Sequence, residues 1–162
     1  MSQGLIICGY PGIGKTSIGG WNNCIDLESS NFKAASLDTW EDGYTRVAMD
    51  IASQGFTVLV STHPEVIDRL KRPQSWYEDN FKPVIFCPRK SMKDAWIARL
   101  RDRYLADPSP KNQRAYYRVG AHFDSDIAEL ENSGLLCFHP EDMNYNLKDF
   151  IEAIRTKYGI RS

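Results

Sequence analysis

Five short apolar runs punctuate the chain: Leu5 to Cys8, Cys24 to Leu27, Thr57 to Ser61, Pro83 to Cys87 and Leu135 to Phe138. Val58-Leu59-Val60 and Val84-Ile85-Phe86 are apolar without alternation, as strands buried on both faces require. Between the runs, apolar positions fall mostly at helical spacing. Tyr44, Val47, Ala48, Ile51 and Ala52 do so and stop at Gly55, which predicts a helix ahead of the third strand. A shorter helix is expected from Pro64. Ser91 is placed to cap a run with Met92, Ala95, Trp96, Arg99, Leu100 and Arg103, which ends before Asp107-Pro108-Ser109-Pro110. Tyr116, Val119, Phe123, Ile127 and Leu130 mark a long helix from about Asn112 to Glu131, and Phe150, Ile151 and Ile154 mark a last one from Leu147 to Tyr158. Strands alternating with helices predict an α/β fold, a three-layer sandwich whose five-stranded parallel sheet is covered on both faces. No repeat, low-complexity tract or linker interrupts the pattern, so residues 1–162 are expected to form a single domain.

The first strand runs straight into Gly9-Tyr10-Pro11-Gly12-Ile13-Gly14-Lys15-Thr16, which fits G-x-x-x-x-G-K-[ST]. A phosphate chain needs many donors at close range, so the loop must turn its backbone N–H groups inward, and glycine permits that. Gly9, Gly12, Ile13, Gly14, Lys15, Thr16 and Ser17 are therefore the expected nucleotide-binding residues. Lys15 would bridge the β- and γ-phosphates, Thr16 would offer its hydroxyl to Mg²⁺, and a helix beginning there would add its positive end. Gly19 and Gly20 limit that helix to about two turns.

Composition narrows the setting. An apolar content of 42% is enough for a sizeable core, and a net charge of −1 argues against a generally basic nucleic-acid or membrane surface, leaving a local groove as the only route to nucleic acid. Cys8, Cys24, Cys87 and Cys137 fall in or at the end of apolar runs and match no zinc spacing, which suits buried thiols rather than disulfides. No leader pattern or membrane-length apolar stretch is present, so a cytoplasmic protein is expected.

A phosphate-binding loop serves motors, switches and kinases alike. The best strand for a motor's acidic residue ends Val60-Ser61-Thr62-His63 without a carboxylate, and no N-K-x-D guanine motif occurs. The second strand is more informative: Asp26 and Glu28 are two residues apart, on one side of an extended strand, at the carboxyl end where ligands bind in α/β sheets. One carboxylate can organise Mg²⁺ waters while the other accepts the proton of an attacking hydroxyl.

With GYPGIGKT, DLESS and an arginine-rich helical segment before the last strand, the chain resembles the small P-loop kinases of adenylate-kinase-like, shikimate-kinase-like and polynucleotide-kinase-like type. It is also similar, through DLESSNF, VSTH and RLRDRY, to small P-loop proteins of bacteriophages and bacteria. The resemblance implies strand order 2-3-1-4-5 and a P-loop NTPase fold. It further implies Mg-ATP as donor, Asp26 and Glu28 as the acidic pair, and a lid over about 91–131 whose Arg99 and Arg103, with Arg114 and Arg118, clamp phosphates. Lys15, Glu28, Asp26, Arg99 and Arg103 are the catalytic candidates, with Thr16 and Asp26 at the metal. Ser29, Phe32, Arg46 and His63 are candidates for the acceptor, because the segment after the acidic pair carries aromatics that can stack a base and an arginine that can hold a phosphate. Phe32, Trp40 and Tyr44 serve equally well as packing, and His63 as a satisfied polar group. The segment lacks the arginine-bearing Thr-Gly stretch of adenylate kinases. The expected activity is phosphoryl transfer to a small acceptor, a nucleotide or nucleoside. The rivals are a nucleotide-binding protein without efficient transfer and a polynucleotide 5′-hydroxyl kinase.

Overall fold

The computed structural model describes residues 3–35, 40–72 and 80–160. Its strands are β1 (Gly4–Gly9), β2 (Cys24–Asp26), β3 (Thr57–Val60), β4 (Phe81–Phe86) and β5 (Leu136–Phe138), and its helices are α1 (Ser29–Ala35), α2 (Trp40–Ser53), α3 (Pro64–Leu70), α4 (Lys93–Ala106), α5 (Pro110–Glu131) and α6 (Leu147–Lys157). All pairings are parallel and the order is β2-β3-β1-β4-β5, as expected. β1 is central and every one of its residues is buried, which is why its run is apolar without alternation. Pro83 is tolerated inside β4 because β5 pairs only from Val84 onward, leaving a free edge at the proline.

The connection from β1 to β2 departs from expectation. In place of a two-turn helix there is a single 3₁₀ turn, Lys15–Ser17. The chain then doubles back through Gly20, Asn22 and Asn23, which have φ of 84°, 46° and 62°, a left-handed path that no α-helix can continue. The space is covered by α6. Its Arg155, only 2% exposed, donates to Thr57 Oγ1 at 2.9 Å, to the Asn22 carbonyl at 2.8 Å and to Glu152 at 3.2 Å. One guanidinium thus ties α6 to the doubled-back turn and to β3.

Two other local readings change. Ser91 does not cap α4; it lies within a separate 3₁₀ turn, Lys90–Met92, that leads into the helix. Ser29–Ala35 is helical although no helix was expected there. The segment 91–131 is built into the core by Met92, Trp96, Leu100, Val119, Phe123, Ile127 and Leu130. Its two helices meet at a sharp turn, where Ser109 caps α5 by accepting from the Asn112 N–H and Asn112 Nδ2 donates to the Asp107 carbonyl.

Arg155→Ala should destabilise the fold by about 2–4 kcal/mol, the sum of a cavity and an unsatisfied buried carbonyl. Urea unfolding followed by circular dichroism measures this, and Arg155→Lys should recover only part, because an ammonium cannot reach all three acceptors.

Candidate nucleotide and phosphoryl-transfer site

The loop after β1 is held from outside by its own carbonyls. Pro11 O accepts from Trp96 Nε1 at 2.8 Å, Gly12 O from Arg99 Nη1 at 3.3 Å and Ile13 O from Tyr145 Oη at 2.8 Å. A trans peptide sets C=O and N–H on opposite sides, so the N–H groups of Gly12 and Gly14 face the other way, into the loop. Gly12 and Gly14 have φ of 97° and 105°, and a Cβ on Gly12 would stand 2.9 Å from Trp96 Nε1, so glycine there meets both a conformational and a space requirement. Fixing those donors in advance lowers the ordering cost of binding an anion.

Arg99 is fully engaged in that outer brace. Its guanidinium lies over the rings of Trp96 and Tyr145 and also donates to Met143 O at 2.6 Å and to Tyr145 Oη at 3.1 Å. It therefore touches the back of the loop rather than its concave side. Arg103, one turn further along α4, is half-buried, and Arg114 is exposed on α5.

Inside the loop, Lys15 Nζ donates to Gly9 O at 2.8 Å. Burial pushes its ammonium below the ordinary lysine range, while the charges of Asp26 and Glu28 hold it up. Asp26 is raised, first by burial and then by the neighbouring Glu28. Lys15, Asp26 and Glu28 thus lie near enough for their charges to interact. Glu28 is also paired with Lys111 of α5 at 2.7 Å, a partner that nothing in the local spacing announced. The backbone of Thr16 forms part of the 3₁₀ turn and its side chain lies outside the described residues; Ser17 Oγ donates back to Gly14 O at 2.7 Å.

Beside Lys15 opens a cleft of about 390 Å³ between the loop, the β3–α3 junction and α5. Tyr10, His63 and Lys71 line it together with Arg118 and Asp126. Arg118 and Tyr10 both donate to the Asp126 carboxylate, at 2.9 Å each, which fixes the arginine on the cleft wall. Asp126 and Tyr10 were missed: the tyrosine occupies a variable motif position, and the aspartate stands two turns from Arg118 on a surface helix.

Among the acceptor candidates, His63 lines the cleft, whereas Arg46 is exposed on α2 and does not. Ser29 opens α1 directly after Glu28. Phe32 packs edge-on against Tyr44 at 5.2 Å, and Tyr44 is buried, donating to Leu27 O and accepting from the Ser61 N–H. These two aromatics are packing groups that join the ends of β2 and β3. Residues 36–39 of the same segment lie outside the described residues. His63 receives a hydrogen bond from Lys33 on Nε2 at 3.2 Å, since an ammonium only donates, which leaves Nδ1–H to donate to Ser61 Oγ at 2.6 Å. Burial depresses its pKa to about 4, with Lys33 acting in the same direction.

No protein-family model and no curated protein matches the chain. Among solved structures it is similar to a shikimate kinase from Bacteroides thetaiotaomicron, with a TM-score of 0.55 and 13% sequence identity over 98% of this chain and 99% of that one. At that identity the likeness carries the fold alone. With the strand order and the loop, it shows a P-loop kinase fold. Among the described residues no helix is long and apolar enough to cross a membrane.

Tyr145→Phe removes two hydrogen bonds from the brace, the one its hydroxyl donates to Ile13 O and the one it accepts from Arg99; at about 1 kcal/mol each, their loss should weaken Mg-ATP binding by up to about thirtyfold in titration calorimetry. His63 gives a pH signature. Its folded pKa is depressed, so the unfolded chain binds the extra proton, and the stability that a neutral His63 contributes is lost as pH falls from about 6.5 towards about 4. His63→Gln should flatten the loss of stability over that window, measured as melting temperature against pH.

Proposed function

We propose that the protein is a Mg-ATP-dependent phosphotransferase acting on a small acceptor, with a nucleotide or nucleoside as the acceptor class. The observation that carries this reading is the convergence of one ammonium and two carboxylates, Lys15, Asp26 and Glu28, at the mouth of an anion-binding loop. The donor set of the described residues suits the expected ligands: inward N–H groups and Lys15 for phosphate and Asp26 for the metal, where the motif would add the Thr16 hydroxyl. Mg²⁺, when bound, would neutralise phosphate charge and draw electron density from the leaving oxygen. Lys15 would exchange Gly9 O for phosphate oxygens. Glu28 would accept the acceptor hydroxyl's proton, which requires Lys111 to release it. The cleft beside Lys15, with Tyr10, His63 and Arg118 on its walls, would take the part of the acceptor remote from Glu28, which does not line it. A neutral His63 there favours hydrogen bonding over charge pairing, and Arg118 and Arg103 are the arginines with scope to approach phosphate.

A second reading is a nucleotide-binding protein without efficient transfer. The 3₁₀ turn that replaces the helix after the loop favours it, because no macrodipole reinforces phosphate binding.

Incubation with γ-labelled ATP and a panel of nucleoside monophosphates, nucleosides and 5′-hydroxyl oligonucleotides decides between these readings. Label on a small acceptor supports the first, label on oligonucleotide alone moves the protein to the polynucleotide kinases, and binding without transfer supports the second. Lys15→Ala should abolish measurable Mg-ATP binding while leaving the circular dichroism unchanged. Glu28→Gln should lower turnover by roughly a hundredfold or more with ATP affinity unchanged, since a general base contributes about 10²–10⁴.

A further inference from the structure

On the far side of the sheet from the acidic pair, three side chains that the phosphoryl-transfer reading does not use meet at the carboxyl ends of β4 and β5. Cys137 stands opposite Ile85 in the β4–β5 register, and Cys87 and His139 each lie two residues further along the chain, just past the ends of β4 and β5. Two-residue steps keep a side chain on one face, so the sheet itself sets all three on the same side. Cys87 Sγ lies 3.4 Å from Cys137 Sγ and 3.7 Å from His139 Nδ1, and the ligand atoms all lie within 4.8 Å of one another. The Cys87 N–H donates to Phe138 O at 3.1 Å, so the backbone that carries the set is locked by the ladder.

A tetrahedral zinc with Zn–S near 2.3 Å and Zn–N near 2.0 Å sets S···S at roughly 3.8 Å and S···N at roughly 3.5 Å. The Cys87–Cys137 and Cys87–His139 separations lie within a few tenths of an ångström of these, and Cys137 and His139, within 4.8 Å of each other, have to draw together on the ion. We propose that Cys87, Cys137 and His139 form a three-ligand site for a thiolate-seeking divalent cation, with Zn²⁺ as the ion whose geometry it fits. Two thiolates and an imidazole select zinc over magnesium or calcium, which take oxygen ligands. Cys87 is buried while Cys137 and His139 are half-buried, so the ion has a way in and a fourth position for water. In the metal-free protein His139 Nδ1 is 2.9 Å from the Cys87 carbonyl, where an Nδ1–H would donate to it. Binding moves that proton to Nε2, turns the ring so that the Nδ1 lone pair leaves the Cys87 carbonyl and faces the ion, and releases both thiol protons to solvent. The ion would fasten β5, a three-residue edge strand whose Leu136 is 49% exposed, to the better buried β4.

The test titrates Co²⁺ into the fully reduced chain and follows its absorption. The expected result is one ion per chain, with thiolate-to-cobalt charge transfer and intense tetrahedral bands that Zn²⁺ then abolishes. Affinity should rise with pH, because thiols must lose protons. Cys137→Ser and His139→Gln should each lose the signal and the accompanying rise in melting temperature, while His122→Gln, at an exposed histidine on α5, should keep both. Both variants sit at half-buried positions, and circular dichroism confirms that each is folded before titration. Absence of tetrahedral cobalt bands in the reduced chain overturns the proposal, as does a signal that survives both variants. Conversion of Cys87 and Cys137 to a disulfide on mild oxidation, with no cobalt uptake by the reduced pair, overturns it in favour of a redox pair.

Discussion

The backbone carbonyls of the loop after β1 have to point somewhere, and everything about this site depends on their pointing outward. An anion-binding loop can offer its N–H groups only if the opposing carbonyls are satisfied behind it, since a buried carbonyl without a partner costs about 1–3 kcal/mol. Trp96, Arg99 and Tyr145 supply those partners, from α4 and from the segment before α6. The two rings and the guanidinium also lie against one another, so each donor is held by the other two. The loop is therefore shaped by side chains far from it in sequence.

That arrangement changes the meaning of the helical segment from α4 to α5. Arginines on a helix beside a phosphate loop resemble clamps, but Arg99 is spent on the loop's rear surface. The charge facing the site comes from elsewhere: Lys15 from within the loop, Lys111 against Glu28, and Arg118 fixed by Asp126 on the cleft wall. Lys15, Lys71 and Arg118 line the cleft with Asp68, Asp126 and Glu129, and Lys111 is paired with Glu28, so a ligand that brings phosphate must displace existing ion pairs rather than enter an empty positive field.

Sheet and loop were readable because their signals are local. Strands buried on both faces are compelled to be apolar runs, and Gly12 and Gly14 are compelled by positive φ, so both leave marks within a few residues. The pair Asp26 and Glu28 was visible for the same reason. The brace was not: Trp96 occupies an ordinary apolar position of a helix, and only its indole N–H, which meets a carbonyl 85 residues away in sequence, reveals its task. The lost helix after Lys15 was half visible, since Gly19 and Gly20 suggested brevity, but the left-handed Asn22 and Asn23 that end it altogether carry no strong signal. Cys87, Cys137 and His139 looked like separate buried groups because the strand register that joins them is not written in their spacing.

The reach of these contacts also dictates when the loop can take shape as the chain is made. Tyr145 meets Ile13 and Arg155 meets Asn22 across separations of 132 and 133 residues. The motif emerges well before its supports, which follow it by 85, 87 and 132 residues. At roughly 5–20 residues per second, the nascent loop waits on the order of ten seconds without its outer donors. During that interval Gly9 to Thr16 is a flexible glycine-rich stretch with little reason to hold nucleotide. Anion capture by the loop then becomes a property of the finished fold and not of the nascent chain.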